Sequence, residues 1–535
     1  MKTLYFNGII FTGTDLVNHF VVEDGVFVCE KQDATIAYDA CVDLEGQFVC
    51  AGFNDSHLHL LNYGKALLMA QLHKHTTSLE DLLHYGKAFL EAHPLREGQW
   101  LQGRGFNQDY FQDVKRMPTR WDLDQISTTI PIVFTRACGH CCVVNSKALE
   151  VAGINSDTKE VLGGTIGKNE DGELNGLFFD NAMNYIQEAL PLPEKEDIKK
   201  MLLVGAKALN SYGITSCQSD DYCVYREIPV EVINEAYQEL IEEKQLSVRV
   251  YEQCNFTQLE ELKKFIDKGN VTGVGNDYFK IGPLKMLGDG SLGSRTAYLS
   301  QPYADDPSTR GFTLFTDEVM DAMVGYASEK GMQVAVHAIG DACLEQVLNA
   351  IEKALLKYPR KNHRHGIVHC QISRREQLER MARLGLHIYA QTIFLDYDNH
   401  IVEARVGKDL ASSSYSWETL MDKGLHVSNG SDAPVEIPDV MKGMECAITR
   451  TSIDGCGPYL EEEAFTVEEA IRSFTMESAY ASFEETKKGQ IKEGYVADFV
   501  ILSANPFTTE ARKIHTIQVL KTYLNGVCVY EKGGV

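Results

Sequence analysis

The chain has 535 residues, and 51 lysines and arginines against 76 aspartates and glutamates give a formal net charge of −25. Since one domain usually takes roughly 100–200 residues, the length predicts two or three structural units. Hydrophobic residues make up 44% of the chain and charged residues 24%, which excludes an intrinsically disordered protein. The acidic excess excludes a nucleic-acid partner, because binding to phosphates requires clustered lysines and arginines.

The start of the chain and its cysteines predict where the protein is located. The apolar stretch in residues 1–11 is too short and too interrupted for a secretory signal. No run of about 18 apolar residues is present to span a bilayer. The 14 cysteines are scattered singly, so we expect free thiols in a reducing compartment. The sequence therefore predicts a cytoplasmic protein without membrane association.

Both ends of the chain show the period-two alternation of apolar and polar residues that is typical of β-hairpins. Residues 20–28 alternate around an Asp-Gly turn, and residues 521–530 contain an Asn-Gly turn. We expect residues 1–50 and 487–535 to pair into one small β-sandwich domain.

Between the ends, in residues 51–486, apolar β-branched runs alternate with longer helical segments, which is typical of βα units around a parallel sheet. The clearest pairs of strand and helix are 332–337 with 341–358 and 366–369 with 373–384. We predict an α/β fold, a (β/α)8 TIM barrel that carries its site at the carboxyl ends of its strands. The segment of about 66–190 mixes helix-like stretches with glycine-rich turns, and we interpret it as an inserted subdomain that caps the pocket.

The motif Asp55-Ser56-His57-Leu58-His59 follows an apolar stretch. Residues i and i+2 share one face of a strand, so both imidazoles can reach one cation. The residue between them points outward, where a barrel strand packs against helices, and Leu58 has the apolar character that this position requires.

Three further barrel strands are predicted to end in metal-ligating residues, namely His337, His369 and Asp432. Together with the histidine pair they form the mixed nitrogen and oxygen set that suits a divalent metal. Two other pairs, at 73–75 and 363–365, have the same spacing but carry a cation at the middle position. We therefore exclude both pairs as ligands on barrel strands.

Lys285 allows two interpretations. A protonated amine cannot bind a metal, whereas a lysine carboxylated by CO₂ becomes an anionic carbamate that can bridge two metals. The alternative is an ordinary ion pair between Lys285 and Asp289, which the residues alone favour.

Residues 288–293 match the spacing G-x-G-x-x-G of a dinucleotide site. Such a site also requires a helix that begins at the loop, and the polar stretch that follows contains two prolines. We interpret the segment as a substrate-side loop, with Asp289 and Arg295 as candidate substrate contacts.

Residues 138–142 contain C-x₂-C and a histidine, but no second pair of cysteines lies nearby to complete a structural zinc site. We expect small buried thiols there, with His140 as a candidate substrate contact. Asp439 and the acidic run 461–463 are expected on the solvated surface.

The chain resembles the amidohydrolase superfamily, and most closely the branch of the N-substituted formamide deformylases. The motifs that carry this likeness are His57-Leu58-His59, Lys285, Asp289-Gly290, His337, His369 and Gly430-Ser431-Asp432-Ala433-Pro434. The segments 103–108, 136–149 and 163–166 are similar to the inserted region of that branch, and 475–480 and 489–498 to the superfamily's return to its β domain. The likeness covers nearly the whole chain.

The resemblance implies a TIM barrel, a β-sandwich built from both termini, and one or two divalent metals, most often zinc. By position it implies a first metal on His57, His59 and Asp432, a second on His337 and His369, and a carboxylated Lys285 as the bridge.

The predicted reaction is hydrolysis of a carbon–nitrogen bond, in an amide or formamide of a small molecule, by a metal-activated hydroxide. Asp432 is expected to act as the proton shuttle, and His337 or His369 to stabilise the oxyanion if one metal binds. The alternatives are a deaminase of a cyclic amidine, a non-catalytic regulatory or binding protein, and an esterase or lactonase. A homodimer is the default expectation for assembly.

Overall fold

The computed structural model describes residues 1–28 and 37–534. They form two compact units. Met1–Tyr63 and the chain from Leu202 onward make up the first unit, and Gly64–Met201 makes up the second.

The strands of the described residues are numbered along the chain. They are β1 (Lys2–Phe11), β2 (Leu16–Glu23), β3 (Val26–Val28), β4 (Ala40–Asp43), β5 (Phe48–Ala51), β6 (Phe53–Leu58), β7 (Ala70–Gln71), β8 (Leu101–Phe106), β9 (Ile132–Arg136), β10 (Cys141–Val144), β11 (Gly164–Lys168), β12 (Leu174–Asp180), β13 (Ile214–Ser219), β14 (Arg249–Asn255), β15 (Phe279–Leu287), β16 (Val334–Ala338), β17 (Gly366–His369), β18 (His387–Ala390), β19 (Val427–Asn429), β20 (Phe499–Leu502), β21 (Val519–Leu524) and β22 (Val527–Glu531).

The α-helices are numbered in the same way. They are α1 (Leu60–Leu68), α2 (Leu79–Ala92), α3 (Arg120–Asp124), α4 (Ser146–Val151), α5 (Asn184–Ala189), α6 (Lys195–Ser211), α7 (Val230–Glu242), α8 (Leu259–Asp267), α9 (Asp317–Glu329), α10 (Asp341–Lys357), α11 (Arg375–Leu384), α12 (Leu395–Asp398), α13 (Val402–Ala411), α14 (Trp417–Asp422), α15 (Val440–Thr449), α16 (Val467–Ser473) and α17 (Met476–Ala481). No helix among these residues is long and apolar enough to cross a membrane.

Eight parallel strands form the central sheet, in the order β6, β13, β14, β15, β16, β17, β18, β19. The two outer strands meet just beyond their carboxyl ends. The Asp432 N–H donates to the His57 carbonyl and the His59 N–H donates to the Ala433 carbonyl, both over 2.8 Å. The sheet is therefore nearly closed, which supports the predicted TIM barrel.

Gly430 lies at this closure because no other residue fits there. A Cβ atom on Gly430 would lie 2.7 Å from the backbone nitrogen of His57 and 2.9 Å from its oxygen. Backbone atoms cannot yield as a flexible side chain can, so glycine lets the two strands approach. Next to it, the buried carboxylate of Asp55 accepts the Ser431 hydroxyl over 2.6 Å.

The clearest predicted βα units are present with nearly the expected bounds. Strand β16 leads into α10 and β17 leads into α11. The loop 288–293 does not open a helix, because the next helix after β15 is α9, which begins at Asp317. The helix that a dinucleotide site requires is therefore missing at this loop.

Strands from both chain ends form a second sheet in the first unit, in the order β22, β21, β20, β5, β1, β2, β3, with β4 beside β1. Aromatic rings fill its core. Tyr5 and Phe20 of the N-terminal strands each pack edge-on against Phe499 of the C-terminal strands, at 5.1 Å between ring centroids. Since buried aromatic side chains dominate core energetics, these rings hold the N-terminal and C-terminal strands together.

The second unit contains a six-stranded sheet, in the order β11, β12, β10, β9, β8, β7. Its core is apolar and includes Leu72, Leu82, Phe106 and Phe134, all fully buried. Cys141 and Cys142 are buried free thiols on β10, as expected from the sequence, whereas Cys138 is exposed, so the expectation of a buried thiol is wrong there.

The expectation that the acidic run 461–463 is solvated is wrong for its last residue. Glu463 is buried, and its carboxylate accepts the backbone N–H and the hydroxyl of Thr419. These bonds satisfy the buried charge and fix the start of α14. Asp439 caps the N-terminus of α15 by accepting the Lys442 N–H.

Candidate metal centre

The predicted site residues lie at the carboxyl ends of five barrel strands. The strands and their residues are β6 with His57 and His59, β15 with Lys285, β16 with His337, β17 with His369, and β19 with Asp432. Parallel strands of a barrel end at the same rim, so polar residues at these positions converge.

His57, His59 and Asp432 form the tightest cluster. Asp432 Oδ1 lies 3.2 Å from His57 Nε2 and 3.1 Å from His59 Nε2. Ligands at about 2.0–2.1 Å from a tetrahedral zinc ion are separated by about 3.3 Å, so this spacing matches that of a coordination shell. The ligand atoms of these three residues all lie within 4.8 Å of one another.

The outer nitrogens of these imidazoles determine which tautomer is present. His57 Nδ1 donates to Gln253 Oε1 over 2.7 Å, and His59 Nδ1 donates to the Asp220 carbonyl over 2.8 Å. Nε2 of each ring therefore faces Asp432. A proton or a metal ion between these nitrogens and the carboxylate oxygen satisfies the contacts, and the donor set fits a divalent metal.

His337 and His369 form a second pair beside the first. Their ring centroids lie 4.5 Å apart, and the ring of His369 lies 5.5 Å from that of His57. His369 Nδ1 donates to Gln391 Oε1 over 2.7 Å, which repeats the arrangement at His57. His337 Nε2 faces the Gly290 carbonyl at 3.0 Å, so Nδ1 is the nitrogen that is left for a ligand in this conformation.

The backbone at two of these residues is strained. His369 has a φ of 75° and Asp432 a φ of 58°. Non-glycine residues rarely adopt this left-handed region, and such strain is concentrated at functional sites. The strain is held by contacts, since the Trp417 indole donates to the His369 carbonyl over 3.1 Å.

Lys285 is buried and pairs with Asp220, not with Asp289. Its ammonium lies 3.4 Å from Asp220 Oδ2, which also accepts the amide of Asn255 over 2.9 Å. Within the described part of the chain, the other oxygen, Asp220 Oδ1, is buried without a hydrogen-bond partner. The sequence-based alternative of a Lys285–Asp289 pair is therefore wrong.

Asp289 has a different role, because its carboxylate accepts hydrogen bonds from backbone groups. It accepts the N–H groups of Tyr298, Ile339 and Gly340 over 2.8–3.1 Å, and its Oδ1 lies 3.2 Å from His337 Nε2. Asp289 thus ties the loop after β15 to the loop after β16, next to the second histidine pair.

The electrostatics of the cluster favour metal binding. Burial, together with the nearby Lys285 charge, lowers the pKa of His57, and burial next to His337 holds the pKa of His369 well below its usual range. Neutral imidazole is the form that binds a metal. Although burial raises the pKa of Asp432, the contacts with His57 and His59 hold it well below its usual range, so the carboxylate is ionised.

Burial also lowers the pKa of His59, but the contacts with Asp432 and Cys223 outweigh burial and raise that pKa well above its usual value. A positive charge at this position is therefore stabilised, whether a proton or a metal ion supplies it.

Three residues that hold the cluster were not predicted from the sequence. Asp220 directly follows the buried strand β13, so the rule used for His337 could have identified it. Gln253 and Gln391 carry no such signal, because an amide next to a strand end is common and has no particular metal chemistry.

Two of the three predicted substrate contacts, Arg295 and His140, pair with residues outside the cluster. Arg295 pairs with Asp305 over 2.9 Å, and His140, in the second unit, is exposed and lies 3.1 Å from Asp180. The excluded pair at 363–365 precedes β17, at its amino end, and the pair at 73–75 lies outside the barrel strands.

Comparison with known proteins tests the resemblance. The sequence model of the amidohydrolase family matches residues 40–530. The protein designated amidohydrolase YtcJ of Bacillus subtilis (strain 168) is 35% identical over 99% of this chain and 100% of its own. N-substituted formamide deformylase of Arthrobacter pascens is 24% identical over 92% of this chain and 90% of its own.

A crystal structure of an uncharacterized metal-dependent hydrolase from Pyrococcus horikoshii OT3 is similar to this fold with a TM-score of 0.78. The two sequences are 26% identical, and the match covers 96% of this chain and 99% of the other. The predicted resemblance is confirmed, and together with the histidine and aspartate cluster these relatives support a hydrolase with a divalent metal. The chain belongs to the amidohydrolase family.

Proposed function

We propose that this protein hydrolyses a carbon–nitrogen bond, in an amide or formamide of a small molecule, with the help of a bound divalent metal. The observation that carries this proposal is the convergence of His57 Nε2 and His59 Nε2 on Asp432 Oδ1. The family membership and the similarity to a formamide deformylase add support for this class of bond.

His57, His59 and Asp432 would hold the first metal, and this set of imidazole and carboxylate ligands suits zinc. Asp220 is a further candidate ligand, because Oδ1 is buried and lacks a partner among the described residues. His337 and His369 would hold a second metal.

Lys285 would bridge the two metals only as a carbamate. As a free amine, Lys285 makes the ion pair with Asp220 instead. ¹³C spectroscopy of protein incubated with labelled bicarbonate distinguishes the two states.

When bound, a divalent cation acidifies a coordinated water and polarises the carbonyl group of the substrate. In the reaction, a carbon–oxygen bond forms at that carbonyl and the carbon–nitrogen bond breaks. The Asp432 carboxylate accepts the proton of the attacking water and returns it to the nitrogen of the leaving amine. If only one metal is present, His337 or His369 would stabilise the oxyanion, which requires a proton on the ring nitrogen that faces the cluster.

Two partner contacts keep these groups in position. Gln253 holds the Nδ1 proton of His57, and Gln391 does the same for His369. Neither ring can rotate without losing this bond, so Nε2 of each ring stays directed at the cluster.

The test combines metal analysis with a turnover screen of N-formyl and N-acyl amines, with and without a chelator. We expect stoichiometric metal, and turnover that a chelator abolishes and added zinc or manganese restores. Asp432→Asn should lower kcat by roughly 10²–10⁴-fold, because it removes the proton acceptor. His57→Ala should remove both metal and turnover with the fold retained.

The matched control is His73→Ala, which alters an exposed histidine of an excluded pair and should leave metal content and turnover unchanged. Full activity in Asp432→Asn would contradict the assignment. A metal-loaded protein that turns over no amide would favour the regulatory or binding alternative, and turnover of cyclic amidines alone would favour the deaminase.

A further inference from the structure

A groove of about 660 Å³ opens at the rim of the barrel, beyond strands β13, β14 and β15. We call it the Leu314 groove and define it by six of its wall residues: Arg226, Leu259, Leu287, Leu314, Phe315 and Val319. All of them belong to the first unit.

The Leu314 groove shares strand β15 with the metal cluster. Leu287 is the last residue of β15, two positions after Lys285, so both side chains share one face of the strand. In the sheet, Leu287 is the register partner of His337. The Leu314 N–H donates to the Gly288 carbonyl over 2.9 Å, which ties the outer wall to the same strand end.

The wall of the groove is apolar and only partly covered. Leu314 is 50% exposed and Val319 is 39% exposed, and Leu287 of the same wall is partly buried. Contiguous exposed apolar surface that borders a polar site is typical of a ligand-binding groove. The groove therefore suits the hydrocarbon part of a substrate.

One wall residue carries an unneutralised positive charge. Arg226 is exposed, and its guanidinium makes one weak contact, with Asn255 Oδ1 at 3.5 Å. No carboxylate lies within ion-pair distance of it in residues 1–28 and 37–534. Glu318, the other charged residue of the wall, lies in the first turn of α9. A guanidinium without a carboxylate partner can pair with an anionic group of a ligand.

We propose that the Leu314 groove binds the apolar substituent of the substrate and that Arg226 pairs with a carboxylate on that substituent. This inference rests on the proposed function and names its substrate class, which is an N-formyl or N-acyl amine with an apolar, anionic side group.

The binding test uses 4-phenylbutyrate, 4-phenylbutanol and 4-phenylbutylamine as probes of the metal-loaded protein in isothermal titration calorimetry. We expect the carboxylate to bind tightest and the amine weakest. Arg226→Gln should lower the affinity for phenylbutyrate by about three- to tenfold and leave the affinity for phenylbutanol unchanged. Leu314→Asp should lower the affinity for both compounds by about fivefold or more, because it places a charge in the apolar wall.

The matched control is Leu356→Asp, which alters an 80% exposed leucine in α10, outside the groove, and should change neither affinity. Acetate competition reports carboxylate binding to the metal itself. The inference would be overturned if acetate displaces phenylbutyrate fully and the Arg226→Gln variant binds phenylbutyrate as tightly as the wild-type protein. It would also be overturned if phenylbutylamine binds more tightly than phenylbutyrate and the Glu318→Gln variant loses this binding.

The turnover test separates this inference from the proposed function. Wild-type protein should hydrolyse N-formyl-phenylalanine with a higher kcat/KM than N-methylformamide, and Arg226→Gln should lower that ratio through KM. If both substrates are hydrolysed and Arg226→Gln leaves the ratio of their kcat/KM values unchanged, the groove assignment fails and the hydrolase proposal stands. If nothing is hydrolysed while Arg226→Gln still weakens phenylbutyrate, the hydrolase fails and the groove assignment stands.

Discussion

The contact between Gln253 and His57 allows a sharp test of how the barrel positions its metal ligands. Gln253 is fully buried on β14; its Oε1 accepts His57 Nδ1 over 2.7 Å and its Nε2 donates to the Ser56 carbonyl over 3.1 Å. Gln253→Met has a similar volume but removes both bonds. The imidazole then loses the acceptor that fixes its tautomer and orientation.

The expected loss has two parts. Removing the partner of a metal-ligating histidine typically costs about 10–100-fold in metal affinity, which is about 1.4–2.8 kcal/mol. The Ser56 carbonyl is left buried without its donor, which costs on the order of 1–3 kcal/mol of folding stability. We therefore expect weaker metal binding and a lower Tm of the metal-free protein.

The assay is competition for zinc with a chromophoric chelator, with the Tm of the metal-free protein measured in parallel. Gln333→Met is the matched control, because Gln333 is an equally buried glutamine that bonds Tyr251 and Tyr389 away from the cluster. The control should lower Tm and leave zinc affinity unchanged. Unchanged affinity in Gln253→Met, or an equal loss in the control, would refute the reasoning.

Two stability predictions follow from other parts of the barrel. Gly430→Ala should lower Tm and metal content, because its Cβ would lie 2.7 Å from the His57 nitrogen, a clash worth on the order of 1–3 kcal/mol in calorimetry. Burial raises the pKa of Glu484, but Lys488 and Lys280 outweigh burial and lower it to about 2 from 4.5. This depressed pKa stabilises the fold fully above about pH 4.5, and the stabilisation is lost as the pH falls toward 2. Since burial lowers the pKa of the paired Lys488 ammonium, we expect Glu484→Gln to cost about 2 kcal/mol at pH 7 and progressively less in acid. A Tm difference that is constant between pH 7 and pH 3 would contradict this.

The part of the site that the sequence could predict is the part with a strong local signal. His57 and His59 combine a two-residue spacing with an apolar residue between them, which is the pattern that a strand end next to a helix layer requires. His337 and His369 each end an apolar run that leads into a well-patterned helix. The barrel and these strand ends could therefore be predicted together.

The remaining features depend on tertiary contacts that no local pattern encodes. The partner of Lys285 is Asp220, 65 residues earlier in the chain, whereas Asp289 is nearer in sequence but is engaged by backbone N–H groups. The strands of the second unit are short and contain glycines, as in β8 and β11, so their periodicity is weak. In the sequence, Glu463 belongs to an acidic run that is typical of a solvated surface. Its burial depends on the tertiary contact with α14.

The most direct test of the account is the position of a bound metal in crystals of the zinc-loaded protein. We expect an anomalous difference peak at the zinc edge about 2.0–2.2 Å from His57 Nε2, His59 Nε2 and an Asp432 oxygen, and no such peak in His57→Ala crystals. A peak elsewhere, or none in the loaded wild-type protein, would contradict the claim that this cluster is a metal centre.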